Sequence, residues 1–344
     1  MPFYKNILVR AVNRIGDGVF SMPAIRALRD EYPQARITIL TKPGVAELYA
    51  NNPGVDDVML FEDRGLHGGV LGRLRLIREL RGRNFDLAVI FHNCFDAALV
   101  PFLAGIPERI GYVREGRGFL LTKKLPFPAE VIYQVDHYLN LVSLLGFTAE
   151  KRMPEFSISE AERSFAEKLF REESIRRPAI CIVPGSIATT RRWPPERFAE
   201  LADRLSGHTG GNIVVVGGRG DREISGQIAG LMEKKPVDLT GRLGIRELMA
   251  VLSLSDLVVS NDTGPMHLAW TLGSPVITFI GAADPRGTGP SGPHVHVIRK
   301  DLECSPCIKE ECPEGNTACL DLITVDEVFE AAKESLARHF RPGE

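Results

Sequence analysis

The sequence predicts an α/β protein made of two doubly wound, Rossmann-like domains that face each other across a cleft. One reason is the length of 344 residues, which exceeds what one hydrophobic core usually serves. A second is that short runs rich in valine and isoleucine alternate with segments of helical period, as in parallel sheets covered on both faces. A third is that this rhythm restarts at Ala179, after a polar, helix-forming connector over residues 150–178.

Short apolar runs predict seven strands. They are Asn6–Val12, Arg36–Leu40, Leu87–Phe91, Ala179–Val183, Asn212–Val216, Asp256–Val259 and Pro275–Ile280. A helix is predicted between the first two, because Met22, Ile25 and Leu28 share one stripe. Residues 324–340 are predicted to form a final amphipathic helix. We place the first domain at residues 1–165 and the second at residues 175–323.

Composition and charge argue against a nucleic-acid-binding protein and against a membrane-spanning one. The formal net charge of −2 excludes a strongly basic nucleic-acid binder. No apolar run approaches the roughly 18 residues that span a bilayer. The first residues, MPFYKNILVR, carry charges within their apolar stretch, so they predict a strand and not a signal peptide. We therefore expect a cytoplasmic protein.

The stretch SNDTGPMHLAW begins where an apolar strand ends and a helix starts. Asp262 and Thr263 can cap that helix, Gly264 permits close approach of the backbone, and His267 lies at the same end. Ligands bind beyond the carboxyl ends of parallel strands, and helix N-termini attract anions. The pattern predicts a diphosphate site; the alternative is an ordinary capped helix.

A second loop, PGSIATTRRWPPERFAEL, follows the first strand of the second domain. Its hydroxyls at Thr189 and Thr190 and its guanidinium groups at Arg191 and Arg192 are groups that hold phosphate. The alternative is a solvated entry to a helix. A third loop, GGRGDRE (217–223), is rich in glycine and can approach a ribose or a sugar.

The first domain places Asp17 between Gly16 and Gly18, in its first strand–helix turn. This predicts a carboxylate at the mouth of the cleft, and the alternative is a turn or cap residue. No third glycine follows at the spacing of a dinucleotide fingerprint, and the second strand ends in Thr41-Lys42 without an acid for a ribose. Both absences argue against a nicotinamide-dependent oxidoreductase. A Walker phosphate loop is absent too.

Residues 64–124 are basic, with 11 lysines and arginines against 5 aspartates and glutamates. Arg114, Arg117 and Lys123 lie in one loop region of the first domain. Such a cluster suits an anionic acceptor or an anionic membrane surface. The alternative is a solvated face.

Four cysteines lie close together before the final helix, at positions 304, 307, 312 and 319. Four thiolates can enclose zinc or hold an iron–sulfur cluster, and four thiols can form two disulfides or stay free. A reducing cytoplasm disfavours disulfides. We expect a structural role for this segment and assign no metal ligand to the site.

The segment SNDTGPMHLAWTLGSPVITFIG (260–281) resembles the signature of glycosyltransferase family 9, the ADP-heptose:lipopolysaccharide heptosyltransferases. RIGDGVFSMPAIRALRDEYP, PFLAGIPERIGY and CSPCIKEEC are similar to that family too, especially to its type II enzymes. The resemblance implies the GT-B glycosyltransferase fold, with the acceptor in the N-terminal domain and the nucleotide sugar in the C-terminal one. It also implies that the final helix, residues 324–344, packs back on the first domain.

The resemblance further implies an inverting reaction without a cofactor, in which Asp17 is the general base. Its diphosphate site falls on Asp262, Thr263 and Gly264, with His267 nearby. Thr189 and Thr190 resemble a hydroxyl pair that reaches the phosphates, and Leu243 takes the place of a residue packing on adenine. Where the family often has lysine, this chain has Arg191 and Arg192.

The partners implied are an ADP-heptose donor and an anionic lipid A–core oligosaccharide acceptor, with no nucleic acid. Peripheral contact with the cytoplasmic face of the inner membrane fits such an acceptor. The alternatives are a glycosyltransferase that uses another nucleotide sugar, an oxidoreductase, or a sugar-nucleotide-binding protein without turnover. The sequence leaves open which heptose of the core is added.

Overall fold

The computed structural model describes residues 3–340, and its contacts divide the chain into two compact units between Pro154 and Glu155. Each unit contains one six-stranded sheet in which all neighbouring strands are parallel. The predicted α/β fold with two doubly wound domains is confirmed. Residues 341–344 of the predicted final helix lie outside the described residues.

The first unit is built on a sheet of order β3-β2-β1-β4-β5-β6. Its strands are β1 (Asn6–Arg10), β2 (Arg36–Thr41), β3 (Asp57–Leu60), β4 (Leu87–Ile90), β5 (Glu108–Val113) and β6 (Lys123–Pro126). Its helices are α1 (Ile15–Glu31), α2 (Pro43–Tyr49), α3 (Gly69–Gly82), α4 (Phe95–Leu103) and α5 (Gln134–Ser143), with a 3₁₀ turn at Arg117–Leu120. This strand order is that of a dinucleotide-binding Rossmann sheet.

The second unit repeats the same strand order as β9-β8-β7-β10-β11-β12. Its strands are β7 (Ala179–Val183), β8 (Asn212–Val215), β9 (Val237–Asp238), β10 (Leu257–Asn261), β11 (Val276–Phe279) and β12 (Val295–Ile298). Its helices are α6 (Glu160–Glu172), α7 (Pro195–Thr209), α8 (Arg222–Leu231), α9 (Ile245–Leu254), α10 (Gly264–Thr271), α11 (Pro285–Thr288), α12 (Ala318–Asp321) and α13 (Val325–His339). Short 3₁₀ turns lie at Thr189–Arg191 and Arg219–Asp221.

All seven predicted strands are present, and five further strands were not predicted. Four of these, β3, β6, β9 and β12, are the edges of the two sheets. Edge strands have one free side and are less apolar, as the alternating exposure of β6 illustrates. The apolar runs that identify central strands are therefore missing from them.

The connector and the final helix both belong to the second unit. Helix α6 starts with a capping box formed by Ser159 and Glu162, and Arg246 of α9 forms an ion pair with Glu162 at 2.7 Å. Helix α13 buries Val328 and Ala332 in the same apolar core as strands β7 and β10. The resemblance implied that this helix packs on the first domain, whereas its buried face packs within the second unit.

Candidate active site

Helix α10 begins directly at the end of β10. The strand ends at Asn261, Thr263 is the N-cap residue of the helix, and Gly264 is its first residue. The Thr263 hydroxyl makes no cap hydrogen bond, and Pro265 has no N–H group to satisfy. The first turn therefore presents a hydroxyl, a residue without a side chain and the positive end of the helix dipole.

Asp262 is buried beside Arg191. Its side chain is 2% exposed, and its Oδ2 lies 3.1 Å from Nη1 of Arg191. Burial raises the pKa of Asp262, and the Arg191 guanidinium opposes this by lowering it. Within residues 3–340, neither Asp262 Oδ2 nor Arg191 Nε has a hydrogen-bond partner. The structure thus brings two predicted donor-site residues together as an ion pair. The Asp262 Oδ2 and Arg191 Nε atoms can still form hydrogen bonds with a ligand.

His267 lies on α10 close to this pair, and it is buried. Its Nε2 is 3.8 Å from Oδ1 of Asp262. Burial, with a smaller contribution from Arg191, lowers the pKa of His267 to about 3. The imidazole is therefore neutral at pH 7, and Arg191 supplies the side-chain positive charge next to Asp262.

Asn261, which was not predicted as a site residue, fixes the loop that carries Arg191. Its Oδ1 accepts from the Trp193 N–H at 2.9 Å, and its Nδ2 donates to the Pro184 carbonyl at 2.7 Å. Consecutive residues at the end of β10 thus hold the loop after β7 at both ends and, through Asp262, at Arg191. The feature of the sequence that could have indicated this role is an asparagine at the end of an otherwise apolar strand.

The hydroxyl pair in this loop is engaged elsewhere. Thr190 Oγ1 donates to the Lys309 carbonyl at 2.6 Å, and Thr189 Oγ1 donates to the Glu310 carbonyl at 3.1 Å. Arg192 is exposed, and its Nε donates to the Ser186 carbonyl at 2.7 Å. In this structure both threonines tie the loop to the cysteine-rich segment, a role that differs from the phosphate contact implied by the resemblance.

The cysteine-rich segment borders the ends of the strands. All four of its cysteines line one small cavity of about 20 Å³, and all four are free thiols. No group of three or more histidine, cysteine, aspartate or glutamate side chains that could hold a metal ion is found in the described part of the chain. The Ile308 N–H donates to the Ala282 carbonyl at 2.7 Å, beyond the end of β11. The segment therefore joins the loops after β7 and β11, which the sequence did not indicate.

The glycine-rich loop after β8 places a carboxylate at the same edge. A Cβ atom on Gly185 would lie 2.3 Å from the Asp221 carboxyl carbon, and one on Gly217 would lie 2.9 Å from its Oδ2. Asp221 Oδ2 also accepts from the Gly218 N–H at 2.8 Å. These glycines therefore make room for Asp221, an acid not assigned to the site from the sequence. Leu243 is half-buried in the turn that precedes α9.

Asp17 lies in the first turn of α1, immediately beyond the carboxyl end of β1. It is partly exposed. Its charge is one of the causes that raise the pKa values of the buried phenols of Tyr49 and Tyr138, after burial itself. A Cβ on Gly18 would lie 2.5 Å from a methyl carbon of Leu48. Gly18 is therefore needed for α1 to pack against α2, and this packing fixes the turn that carries Asp17.

A second polar group that was not predicted surrounds His92, beyond the end of β4. Asn13 Nδ2 lies 2.6 Å from His92 Nε2, and His92 Nδ1 accepts from the Cys94 N–H at 3.3 Å. Burial and the positive charges of Arg10 and Arg117 lower the pKa of His92 to about 4. This edge of the first sheet thus holds a neutral imidazole among cations.

The three basic residues predicted to bind an acceptor have different surroundings. Arg117 is 0% exposed, and its guanidinium donates to the carbonyls of Tyr112, His92 and Cys94. It therefore holds backbone and does not reach solvent. Arg114 is exposed, with its guanidinium carbon 4.3 Å from the centroid of the Phe127 ring.

Lys123, the third of these residues, lies on edge strand β6. It forms an ion pair with Glu108 at 2.6 Å, and its side chain stays about one third exposed. Of the three, Arg114 and Lys123 are thus open to an anionic ligand.

Comparison with known proteins identifies the family of this chain. Residues 73–318 match the family described as glycosyltransferase family 9 (heptosyltransferase). The chain is 30% identical over 339 residues to lipopolysaccharide heptosyltransferase 2 of Escherichia coli K12, covering 94% of this chain and 96% of the relative.

Two solved structures are similar over nearly their whole length. The structure of E. coli ADP-heptose lps heptosyltransferase II has a TM-score of 0.82 at 26% identity, covering 97% of this chain and 99% of that one. A glycosyl transferase of family 9 from Veillonella parvula has a TM-score of 0.84 at 25% identity, covering 98% and 99%. These findings exclude the oxidoreductase alternative. The chain belongs to glycosyltransferase family 9 and is a heptosyltransferase.

Proposed function

We propose that this enzyme transfers a heptose from ADP-heptose to the inner core of a lipopolysaccharide, with inversion at the anomeric carbon. Support for the donor and the acceptor comes from the names of its relatives, E. coli lipopolysaccharide heptosyltransferase 2 and ADP-heptose lps heptosyltransferase II. We propose further that it works in the cytoplasm, where nucleotide sugars are used, and that it contacts the inner membrane peripherally. In the part of the chain that the structure describes, no helix is long and apolar enough to cross a membrane.

The observation that carries the proposal is the ion pair between buried Asp262 and partly exposed Arg191 at the start of α10. The helix N-terminus favours a diphosphate through its amides and dipole. Arg191 adds a guanidinium whose Nε has no partner among the described residues, and phosphate oxygens are suited to such a donor. Asp262 holds this guanidinium in place and offsets part of its charge.

On this proposal Thr263 and Gly264 complete the diphosphate site. The hydroxyl of Thr263 donates to a phosphate oxygen, because it makes no cap bond within the helix. Gly264 lets the phosphate approach the backbone. His267 stays neutral and lines the site, and Leu243 packs on the adenine.

Asp17 is proposed to activate the acceptor. A sugar hydroxyl is a weak nucleophile until a base accepts its proton during attack, which contributes roughly 10²–10⁴-fold to the rate. Tyr49 and Tyr138 next to Asp17 stay neutral, since their pKa values are raised, and His92 is neutral as well. Asp17 is the carboxylate of this turn, and a carboxylate is a group that can accept the proton of the attacking hydroxyl. Arg114 and Lys123 are proposed to bind anionic groups of the acceptor.

Replacement of Asp17 by asparagine tests the mechanism. We expect Asp17→Asn to lower turnover at saturating substrates by at least about 10²-fold while ADP affinity stays unchanged. Asp30→Asn is the matched control, because Asp30 lies in the last turn of the same helix and is exposed. An Asp17→Asn enzyme that keeps more than about a tenth of wild-type turnover would remove Asp17 from the role of base.

A further inference from the structure

Helices α3 and α4 and the 3₁₀ turn at Arg117–Leu120 expose an unusual number of large apolar side chains. Leu71 is 82% exposed and Val70 is 77% exposed, more than any other large hydrophobic residue described, and Phe119 is 72% exposed. Leu66, Leu74, Phe95, Phe102 and Leu103 are also exposed. We refer to these eight residues as the α3–α4 face. Clustered apolar exposure of this kind marks an interaction surface.

The elements that carry the α3–α4 face are joined side by side. The Arg73 guanidinium near the start of α3 forms an ion pair with Asp96 near the start of α4, at 3.1 Å. At the other end, Arg81 Nη2 donates to the Leu103 carbonyl at 2.8 Å. The rings of Phe95 and Phe119 lie 6.3 Å apart between centroids. The two helices therefore run in the same direction, and Phe95 and Phe119 lie beside the N-terminal end of α4.

The charges around this face are mainly positive. Exposed arginines at positions 75, 78 and 81 continue the outward side of α3 beyond Leu71 and Leu74. The acidic groups of these elements are already engaged: Glu79 with His67, Asp96 with Arg73, and Glu115 with the Phe95 N–H. Helices α3 and α4 carry four arginines against two carboxylates, Glu79 and Asp96, so the apolar patch is bordered by a net positive charge.

The face also lies at the edge of the sheet that carries the site. Helices α3 and α4 follow the carboxyl ends of β3 and β4, and α1 with Asp17 follows the carboxyl end of β1. In a parallel sheet these ends share one edge. An acceptor held in a lipid surface against this face would therefore be presented on the side where Asp17 lies.

We propose that the α3–α4 face docks this enzyme on the surface of an anionic phospholipid bilayer. Leu71, Val70 and Phe119 enter the interface between headgroups and acyl chains, and the arginines lie against the headgroups. Charge selects this occupant, since a second copy would bring two rows of arginines together, whereas anionic lipids satisfy both the apolar and the cationic parts. The proposal rests on the proposed function in taking the acceptor to be a lipid.

Flotation with vesicles tests this surface. We expect the wild-type chain to float with vesicles of phosphatidylcholine and phosphatidylglycerol, and to float less with phosphatidylcholine alone or at high salt. Val70→Ser/Leu71→Ser and Arg75→Gln/Arg78→Gln should each weaken binding to the anionic vesicles at least about tenfold. Leu231→Ser and Arg163→Gln are matched controls at exposed positions of the second unit, and they should bind like wild type.

Absence of wild-type binding to the anionic vesicles, or equal binding by all variants, would overturn the proposal. So would concentration-dependent dimers that Val70→Ser/Leu71→Ser abolishes, because the face would then bind a second copy. Turnover on a detergent-dispersed acceptor separates this proposal from the proposed function. If wild-type turnover is absent there, the proposed function fails; if both surface variants keep wild-type turnover there but lose vesicle binding, docking is separate from catalysis, as expected.

Discussion

Removal of Arg191 should expose the cost of burying the Asp262 carboxylate. Arg191→Met keeps most of the length of the side chain but leaves a carboxylate that is 2% exposed without its counter-charge. Loss of one partner from a buried ion pair typically costs about 3–5 kcal/mol. Because the Arg191 side chain is itself 30% exposed, water screens part of the interaction, and we expect about 2–3 kcal/mol.

The loss should depend on pH in a defined direction. Burial raises the pKa of Asp262, and Arg191 is the group that lowers it, so the pKa rises further in Arg191→Met. Between the unfolded value near 4 and the raised folded value, the folded state binds more protons than the unfolded state. Stability of the variant relative to wild type therefore falls as pH rises through that window, and the difference shrinks in acid.

Urea unfolding followed by tryptophan fluorescence measures this directly. Trp193 and Trp270 are the two tryptophans of the chain, and both lie in the second unit with Asp262. Arg192→Met is the matched control, because Arg192 is exposed and its guanidinium donates to a backbone carbonyl, that of Ser186, and not to a carboxylate. Asp262→Asn added to Arg191→Met should restore at least about 1 kcal/mol, since it removes the buried charge. If Arg191→Met is as stable as Arg192→Met, or Asp262→Asn restores nothing, the reasoning about this pair is refuted.

Three further predictions follow from the contacts. Thr263→Val should weaken ADP binding by about 1–2 kcal/mol in calorimetry, with little change in stability. The control Thr324→Val removes the cap bond of α13, so it should lower stability by about 1 kcal/mol and leave ADP affinity unchanged. Equal effects of the two variants on ADP affinity would contradict the assignment of Thr263. Arg114→Ala should raise the acceptor KM and leave ADP affinity and stability unchanged. Arg117→Ala should lower the free energy of unfolding by about 2–4 kcal/mol, because buried carbonyls lose their donor. The reverse pattern would make Arg117 the ligand-binding residue. Burial lowers the pKa of His137 to about 4, so this residue takes up a proton on unfolding below about pH 6.5. Stability should therefore fall as pH falls from about 6.5 to 4, and His137→Phe should remove up to about 3 kcal/mol of that loss. If the variant and the wild type show the same dependence of stability on pH, His137 makes no such contribution.

The strands that could be predicted from the sequence are those buried on both faces of a sheet. β1, β7 and β10 lie in the middle of their sheets, so nearly all their residues are buried and most are apolar. β9 has two residues and one partner strand, so its sequence carries almost no such signal. β9 is a strand because it pairs with β8, and the residues of β9 alone do not show that they will lie beside β8.

The candidate site could be recognised where its residues are adjacent in the sequence. Asp262, Thr263 and Gly264 are consecutive, and the change from strand to helix at that point is a local signal. Arg114 and Arg117 are neighbours of the same class, yet one lies open to solvent and the other donates to three backbone carbonyls. Which of them is free depends on where the loop after β4 places its carbonyls, and that is decided by packing across the sheet.

The end of β10 shows how the proposed donor site is held by the protein itself. Asn261 binds the backbone at both ends of the loop after β7, at Pro184 and Trp193, and Trp193 is fully buried in the core of the unit. Asp262, the next residue, binds Arg191 of the same loop. The N-terminus of α10 and the Arg191 guanidinium are therefore fixed relative to each other by two consecutive side chains. A diphosphate that binds there needs little ordering of the protein, and pre-organisation of this kind raises affinity by lowering the entropic cost of binding. Asn261→Ala should consequently weaken ADP binding although Asn261 is buried and contacts backbone, because the loop that carries Arg191 would lose its fixed position.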